Sequence, residues 1–255
     1  MDLFDNYSRQ ARLFPGLLTV FPPLMTVLAW FPQLLLSNIG TTLLTIATSC
    51  GLLYALGSWA RTRGKYLETK LLKEWGGWPT TLKLRYAGSL DSSTLARYHA
   101  FLEKNVPHWH APTSADELAV PANADGAYGS AVLWLKEKTR KGFPLVDKEN
   151  AQYGFRRNLL GMKPVGIIIC ALAASASLLA IYSHATGITA AELWAVTSIQ
   201  RPKIWAATAV DFVALFAWVA LVRRRWVRQA GEQYADVLLA ACDQLMGAAR
   251  SHAKE

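Results

Sequence analysis

The chain has 255 residues, of which 52% are hydrophobic and only 18% are charged, and its formal net charge is +9. An average globular domain carries roughly 25% charged residues. The charges are also unevenly spread, because none occurs in residues 13–60 or 164–182. A helix that crosses a bilayer needs about 20 apolar residues. These stretches therefore exclude a simple soluble protein and indicate an integral membrane protein.

Four apolar stretches are long enough to be predicted as membrane-spanning helices: 13–36, 39–60, 164–182 and 204–222. Only Ser37 and Asn38 separate the first two, so these read as a tight hairpin. A cleaved signal peptide would be shorter and would not be followed so closely by a second span. We therefore expect an all-α integral membrane protein with four transmembrane helices in two hairpins and a helical cytoplasmic domain inserted between them.

The basic residues predict the orientation of these spans. With a cytoplasmic N-terminus, the inside segments 1–12, 61–163 and 223–255 hold 2, 17 and 6 of the 27 basic residues. Only Arg201 and Lys203 then lie outside. Lysine and arginine accumulate on the cytoplasmic side of membrane proteins. We expect both termini in the cytoplasm, with hairpins at 13–60 and 164–222, a basic domain at 61–163 and a C-terminal helix at 223–255.

Helix signals dominate the predicted cytoplasmic domain. Glycine and proline end helices, and aspartate, serine and asparagine begin them. Ser114 with Glu117 also fits a capping box within a loop at 107–121. The predicted helices are 61–74, ending at the Trp75-Gly76-Gly77-Trp78-Pro79 sequence; one from Asp91, Ser92 or Ser93 to Val106; one from Asn123 or Asp125 to Lys141; and one from Asp147 to Leu160, ending at a glycine.

The C-terminal segment continues the fourth span as an amphipathic helix. Its small and apolar residues recur every three or four positions, which forms a seam that needs a partner. The seam consists of Val227, Ala230, Tyr234, Val237, Ala241, Leu245 and Ala248. Packing against the chain's own cytoplasmic domain and self-association in an oligomer are both consistent with it.

No arrangement of residues predicts catalysis, and we expect no enzyme activity, cofactor or metal site. His99, His108 and His110 lie near acidic residues, but their spacing matches no zinc pattern. Gly76-Gly77 lacks the Gly-Lys-Ser/Thr that follows in a phosphate-binding loop, and hydrolase and kinase signatures are absent.

Polar residues within the spans are candidates for lining a pore. Asp211 lies in the fourth span, where a carboxylate is costly unless it is paired, protonated or exposed to water. It is either functional or an interfacial partner of Arg201 or Lys203. Thr41, Thr45 and Thr48 form a polar stripe in the second span, which fits either close helix packing or a narrow aqueous pore. Four prolines in the first span are consistent with a kinked helix beside that stripe.

The basic cytoplasmic domain is the candidate ligand-binding region, since it carries 17 basic and 10 acidic residues. Basic side chains neutralise phosphates and aromatic faces stack on bases. Anionic lipid headgroups and the topology signal explain some of the same charge. The candidate residues for a nucleotide or oligonucleotide site are Lys83, Arg85, Arg140, Arg156 and Arg157, with Trp75, Trp78 and Tyr153 available for stacking.

Two stretches also carry a family resemblance: Leu72-Lys-Glu-Trp-Gly-Gly-Trp-Pro-Thr-Thr-Leu-Lys-Leu-Arg85 and Tyr153-Gly-Phe-Arg-Arg-Asn-Leu-Leu-Gly-Met-Lys-Pro164. With the flanking hairpins they resemble the transmembrane effectors of bacterial anti-phage defence operons such as the Hailong system. The resemblance implies a channel-forming homo-oligomer that binds a nucleotide-derived signal, there a short single-stranded DNA oligomer. It also implies a nucleotidyltransferase as a partner, but no particular site residues.

These observations favour a ligand-controlled membrane effector in the bacterial inner membrane. A bundle of two hairpins is too small to enclose a pore alone, so we expect about three to five copies. The alternative is a membrane anchor or scaffold without a channel, whose cytoplasmic domain docks a partner protein. A lipid-modifying enzyme is disfavoured, because the acids and histidines do not converge.

Overall fold

A computed structural model of the protein describes residues 6–33, 37–38, 40–42, 51–183, 189, 191–192 and 202–252. Within these ranges there is no β-strand, so the prediction of an all-helical protein is confirmed there. The helices are α1 (Asn6–Ser8), a π-helical turn π1 (Arg9–Leu13), α2 (Phe14–Trp30), α3 (Leu52–Trp75), α4 (Pro79–Leu84), α5 (Ser92–Asn105), α6 (Ser114–Ala119), α7 (Pro121–Lys138), α8 (Pro144–Tyr182), α9 (Pro202–Ala220) and α10 (Arg224–His252).

Three helical segments of the described chain are long and apolar enough to cross a membrane: Arg9–Trp30, Pro144–Tyr182 and Pro202–Ala220. They fit a multi-pass transmembrane protein. The predicted second span, 39–60, lies partly outside the described residues, since 43–50 are not among them. The four spans in two hairpins are therefore not confirmed.

The chain divides into two compact units. Unit 1 comprises Met1–Leu67 and Gly154–Arg224, and unit 2 comprises Glu68–Tyr153 and Arg225–Glu255. Helices α3 and α8 each contribute residues to both units. The C-terminal helix α10 belongs to unit 2, together with most of the predicted cytoplasmic domain.

Glycines allow the helices of unit 1 to approach closely. A Cβ atom added at Gly161 of α8 would lie 2.6 Å from the backbone nitrogen of Gly64 in α3. One added at Gly154 would lie 2.9 Å from the Cβ of Ala11 in π1, and one at Gly16 would lie 2.6 Å from the Cγ of Leu56. Real side chains do not tolerate such distances, so these positions require glycine. Small residues at helix contacts are typical of membrane bundles.

Helix α8 corrects a prediction, because one continuous helix replaces a helix ending near Leu160 and a separate span from Pro164. Gly161 and Pro164 lie inside it. Gly161 provides the close contact with α3 and so acts in packing rather than as a stop signal. Pro164 removes one backbone donor, a loss that membrane-spanning helices tolerate.

The fourth span and the tail are separate helices, contrary to the expectation of one continuous helix. Helix α9 ends at Ala220 and α10 begins at Arg224. Lys163 of α8 donates from its ammonium nitrogen to the backbone oxygens of Val219 at 3.2 Å and Val222 at 2.8 Å. A lysine at the carbonyl end of a helix satisfies acceptors that have no partner within the helix.

Unit 2 has a single apolar core to which α10 contributes. Leu238 and Leu239 of α10 are almost completely buried and pack with residues of α5 and α7 such as Leu102 and Leu135. Tyr234, Val237, Ala241 and Leu245 of the predicted seam belong to the same cluster. The seam therefore packs within its own unit, which is the first of the two interpretations made from the sequence.

The predicted helix boundaries near Trp75, Asp91 and Val106 are confirmed, whereas α7 runs from Pro121 to Lys138 rather than from Asn123 or Asp125 to Lys141, and α8 begins at Pro144 rather than Asp147. Helix α3 ends at Trp75, and Gly76 has a φ of 81°, a left-handed conformation that favours glycine. The Asp91 side chain caps α5 by accepting from the backbone N–H of Thr94. The capping box lies one residue earlier than predicted, on Thr113 and Asp116.

Candidate functional site

The end of α3, the helix α4, the loop after it and the start of α10 surround an open cleft in unit 2. Its volume is about 550 Å³. Gly76 and Gly77 adopt positive φ angles directly after α3, and Pro79 is the first residue of α4. We call this the Lys83 cleft; it is lined by Trp75, Pro79, Leu82, Lys83, Arg85, Ala87, Gly88, Ser89, Arg228 and Glu232. Three of the eight predicted ligand-binding residues, Trp75, Lys83 and Arg85, therefore come together here.

Lys83 provides a partly shielded positive charge in this cleft. Its ammonium nitrogen lies 2.7 Å from Oδ1 of Asp236, and its side chain is 15% exposed whereas that of Asp236 is 54% exposed. It also donates to the hydroxyl of Ser89 at 3.4 Å. Asp236 is accessible to water, so it remains solvated when it separates from Lys83. A phosphate can therefore replace Asp236 as the partner of Lys83 at little cost.

Arg85 is held by a carboxylate from another helix. Its guanidinium forms a two-pronged contact with Asp125 of α7, with Nε donating to Oδ1 at 2.7 Å and Nη2 donating to Oδ2. The hydrogen bond with Asp125 raises the pKa of Arg85 above its usual value. Such bidentate pairs are strong and directional. Arg85 therefore lines the cleft but is already neutralised, and its main effect is to fix the loop.

Arg228 is a cleft residue that the sequence reasoning did not select. It lies in the first turn and a half of α10, and its Nε donates to Glu232 one helical turn later at 2.8 Å. In the sequence it is one of the six basic residues of 223–255, which were counted only as a signal of membrane topology. The amphipathic pattern of α10 is the signal that could have separated Arg228 from its neighbours.

Three other predicted ligand residues lie in unit 2 but do not line the cleft. The Lys136 ammonium lies 5.5 Å from the centroid of the Trp78 ring. Arg140 is exposed and pairs with Glu137 at 3.0 Å. Tyr153 is only 6% exposed and its hydroxyl donates to Glu68 at 3.0 Å. Tyr153 is thus enclosed and offers no free face for stacking, contrary to the prediction.

The last two predicted ligand residues, Arg156 and Arg157, belong to unit 1. Arg157 is 6% exposed, and its Nε donates to Oδ1 of Asn158 at 3.1 Å. This burial makes Arg157 a structural residue rather than an accessible ligand contact. The prediction grouped both arginines with Lys83 because charge was counted along the sequence without knowledge of burial.

The predicted pore-lining residues are only partly described. Thr45, Thr48 and Arg201 lie outside the described residues. Thr41 is exposed, and its hydroxyl donates to the backbone oxygen of Asn38 at 3.1 Å. Asp211 is completely buried in unit 1 and accepts a hydrogen bond from the hydroxyl of Thr26 in α2. Within one chain it is enclosed and lines no open space, and its predicted pore-lining role in an oligomer stays a prediction.

A second groove in unit 2 was not predicted. The Trp134 groove has a volume of about 820 Å³ and is lined by Arg97, Ala100, Phe101, Lys104, Asn105, Pro107, Trp134, Lys138, Leu245 and Met246. The Lys138 ammonium lies 5.5 Å from the Trp134 ring centroid. The described residues that line the Trp134 groove include three cations and no acid, and most of the others are apolar. The residues come from α5, the loop after it, α7 and α10, so no sequence-local pattern reveals them.

Among the described residues, no group of histidine, cysteine and acidic side chains is arranged to hold a metal ion. Comparisons of the chain with protein-family models, with curated proteins and with solved structures found no match. The resemblance to defence effectors therefore stays a prediction.

Proposed function

We propose that this protein is an oligomeric membrane effector whose ion-conducting pore is controlled by an anionic nucleotide or short oligonucleotide bound in the Lys83 cleft. The observation that carries the proposal is the convergence of Lys83 and Arg228 beside Trp75, with Arg85 held at the same cleft by Asp125. Among the described residues that line the cleft, Glu232 is the one acid, and Asp236 and Asp125 pair with Lys83 and Arg85 from outside the lining. Cations beside an indole provide phosphate contacts and a stacking surface, which are the two elements of single-strand recognition.

The position of Trp75 supports control of the membrane part by the ligand. Trp75 is the last residue of α3, and Gly57 and Gly64 of the same helix pack closely in unit 1. The same helix that makes these glycine contacts ends at Trp75. A ligand that changes the position of Trp75 therefore acts on the end of that helix. Such control requires that the ligand bind more tightly to one arrangement of α3 than to another.

The setting of this function follows from the charge distribution and the family resemblance. The basic residues favour cytoplasmic termini and a cytoplasmic unit 2. The resemblance supports the bacterial inner membrane, anti-phage defence, a short single-stranded DNA signal and a nucleotidyltransferase that makes it. Homo-oligomerisation is required because one chain provides too few spans to enclose a channel.

Binding is tested by titrating the detergent-solubilised protein with labelled short single-stranded DNA and with cyclic dinucleotides. Lys83→Gln and Arg228→Gln should each weaken binding about tenfold or more, since a charge-assisted contact contributes about 1.5–3 kcal/mol. Binding should also weaken as salt is raised, because neutralised phosphates release counterions.

Two surface variants serve as matched controls. Arg140→Gln removes an exposed arginine that, like Arg228, pairs with a glutamate close to it in the sequence, and Lys148→Gln removes an exposed lysine. Neither residue lines the cleft, so both variants should bind as the parent does. Equal losses for control and cleft variants would reject the Lys83 cleft as the site. Absence of binding to any probe at low salt would reject ligand control.

A scaffold that docks a partner protein is the second candidate, and the Trp134 groove is the observation that favours it. An apolar floor with a rim of three cations suits an acidic, amphipathic partner segment. The two functions differ in the membrane. In liposomes, ligand-dependent ion flux supports the effector, whereas ligand binding without flux, together with an unchanged membrane potential in expressing cells, supports the scaffold.

A further inference from the structure

Asp211 is the sole carboxylate in the predicted spans, and its position within unit 1 is unusual. No other acidic residue occurs in 13–60, 164–182 or 204–222. The side chain lies on α9, is 0% exposed and accepts the Thr26 hydroxyl hydrogen on Oδ2. Its other oxygen, Oδ1, is buried and has no hydrogen-bond partner among the described residues.

Among the residues that the structure describes, no group that faces Asp211 supplies a positive charge. Helix α2 presents the Thr26 hydroxyl, and the buried Cys170 of α8 is near enough to interact electrostatically with the carboxylate. Lys203, which the sequence offered as a partner, is exposed, and no ion pair in the described part of the chain joins it to Asp211. An enclosed, unpaired carboxylate is costly in an apolar bundle, and binding a proton removes that cost.

An apolar groove leads to the hydrogen-bond partner of Asp211. It lies between α2 and α8, has a volume of about 470 Å³ and is lined by Pro23, Thr26, Trp30, Leu172 and Ala173 among others. The Trp30 indole donates to the Ser177 hydroxyl across it at 3.1 Å. Thr26 therefore contacts the groove as well as the carboxylate, whereas Asp211 itself does not line it.

We propose that Asp211 is a proton-binding carboxyl enclosed in the membrane-spanning bundle, held by Thr26 and reached from the apolar α2–α8 groove rather than from water. The bound proton keeps α2 and α9 together, because a neutral carboxyl can remain between them. Loss of the proton leaves a charge that favours an arrangement in which water reaches the carboxylate. Asp211 thus links the packing of α2 against α9 to its protonation.

Carbodiimides distinguish this site from a water-lined one. A protonated carboxyl adds across a C=N bond of the reagent, its proton moves to nitrogen, and an O-acylisourea forms that rearranges to a stable N-acylurea. The full-length protein is reconstituted into phosphatidylethanolamine and phosphatidylglycerol vesicles. It is then treated with dicyclohexylcarbodiimide or with a water-soluble carbodiimide, and peptide mass spectrometry locates the adduct. Asp211→Asn identifies the labelled peptide.

We expect the lipophilic reagent to modify Asp211 at pH 6 and the water-soluble reagent to spare it while modifying the exposed Asp147. Labelling should fall by up to about tenfold per pH unit once most carboxyls are ionised. Leu172→Trp should slow the labelling by filling the groove. Leu179→Trp, at an equally exposed leucine of the same helix that does not line the groove, should not.

Three outcomes would overturn the proposal. Faster modification by the water-soluble reagent means that Asp211 contacts water and lines a pore. No modification by the lipophilic reagent at pH 6 means that the carboxyl is not protonated or not reachable. Equal slowing by the tryptophans at 172 and 179 means that the groove is not the route. None of these results depends on the Lys83 cleft.

Discussion

Asn158 of α8 donates a hydrogen bond from Nδ2 to the backbone oxygen of Ala11 at 2.6 Å. The side chain is fully buried, and its Oδ1 accepts from the Arg157 guanidinium at 3.0 Å. A Cβ atom at Gly64 would lie 2.0 Å from that same Oδ1. One amide thus connects π1 and α8 at the place where α3 passes closest, and the contact requires glycine on α3.

Replacing Asn158 with alanine should therefore destabilise unit 1. The change removes the hydrogen bonds to the Ala11 carbonyl and the Arg157 guanidinium, and a hydrogen bond contributes about 0.5–1.5 kcal/mol, or about 1.5–3 kcal/mol with a charged group. Thermal unfolding of the detergent-solubilised protein should show a clearly lower midpoint. Asn123→Ala, at an exposed asparagine in α7, is the control and should leave the midpoint unchanged. Equal midpoints for both variants would contradict the connecting role of Asn158.

The contact between Gly161 and Gly64 predicts opposite effects for two glycine-to-alanine changes. Gly161→Ala places a methyl group 2.6 Å from a backbone nitrogen, so the helices must separate. Overpacking typically costs about 1–3 kcal/mol. Gly126→Ala has no atom within 4 Å of the new Cβ, in the interior of α7, and should stabilise by about 0.5–1 kcal/mol. The same unfolding measurement tests both, and a neutral Gly161 variant would argue against the close approach.

Local signals explain why most of unit 2 was predictable. The Asp91 cap and the glycines after Trp75 act within a few residues, so the sequence alone indicates them, and the capping box was predicted one residue away from Thr113 and Asp116. The continuity of α8 was not predictable, because Gly161 reads as a stop until its contact with Gly64 is known. Helix-breaking residues and packing residues are the same types, and only a neighbouring helix distinguishes their roles.

The candidate site was predictable only in part for a similar reason. Trp75, Lys83 and Arg85 lie close together in the sequence and also line one cleft. The pairing of Arg85 with Asp125 joins residues 40 positions apart. Burial of Arg157 likewise depends on helices distant in sequence. Counts of charge locate a basic domain, but they do not show which cations remain accessible to a ligand.

His99 should make stability depend on pH. Its ring is 6% exposed and lies between Tyr86 and Tyr128, with centroids 5.5 Å from each, while Nε2 contacts the Leu84 carbonyl at 2.8 Å. Burial lowers the pKa of His99 below its usual value of 6.5. The unfolded state therefore binds the proton more readily, and stability should decrease as the pH falls below about 6.5 towards the folded-state value.

Thermal melts between pH 7.5 and pH 5 measure this dependence. His99→Gln should flatten the profile while lowering stability at pH 7.5, because the stacked ring is lost. The control is His108→Asn, at an exposed histidine with a φ of 52°, which asparagine tolerates. This variant should preserve the slope of stability against pH. If the His99→Gln variant keeps the slope of stability against pH, the pH dependence arises from other groups.

The orientation predicts which surface lysines are accessible from outside the cell. Lys203, just before Ile204 of α9, should be exported, whereas Lys148 in α8 should be cytoplasmic; both are exposed. In intact cells a membrane-impermeant maleimide should label Lys203→Cys and not Lys148→Cys, with the parent protein as the background. Both should react after the membrane is permeabilised. Labelling of Lys148→Cys alone in intact cells would invert the predicted topology.

The packing of α10 predicts that its seam stabilises the fold rather than the oligomer. Leu238 is 0% exposed within the core of unit 2. Leu238→Ala should lower the free energy of unfolding by about 2–5 kcal/mol through loss of apolar contact and the cavity that remains. Native mass measurement should nevertheless show the parent's subunit number for the folded fraction. Gln233→Ala, at an exposed position of the same helix, should change neither quantity. Dissociation of the Leu238 variant into folded monomers would instead place the seam between copies of the chain.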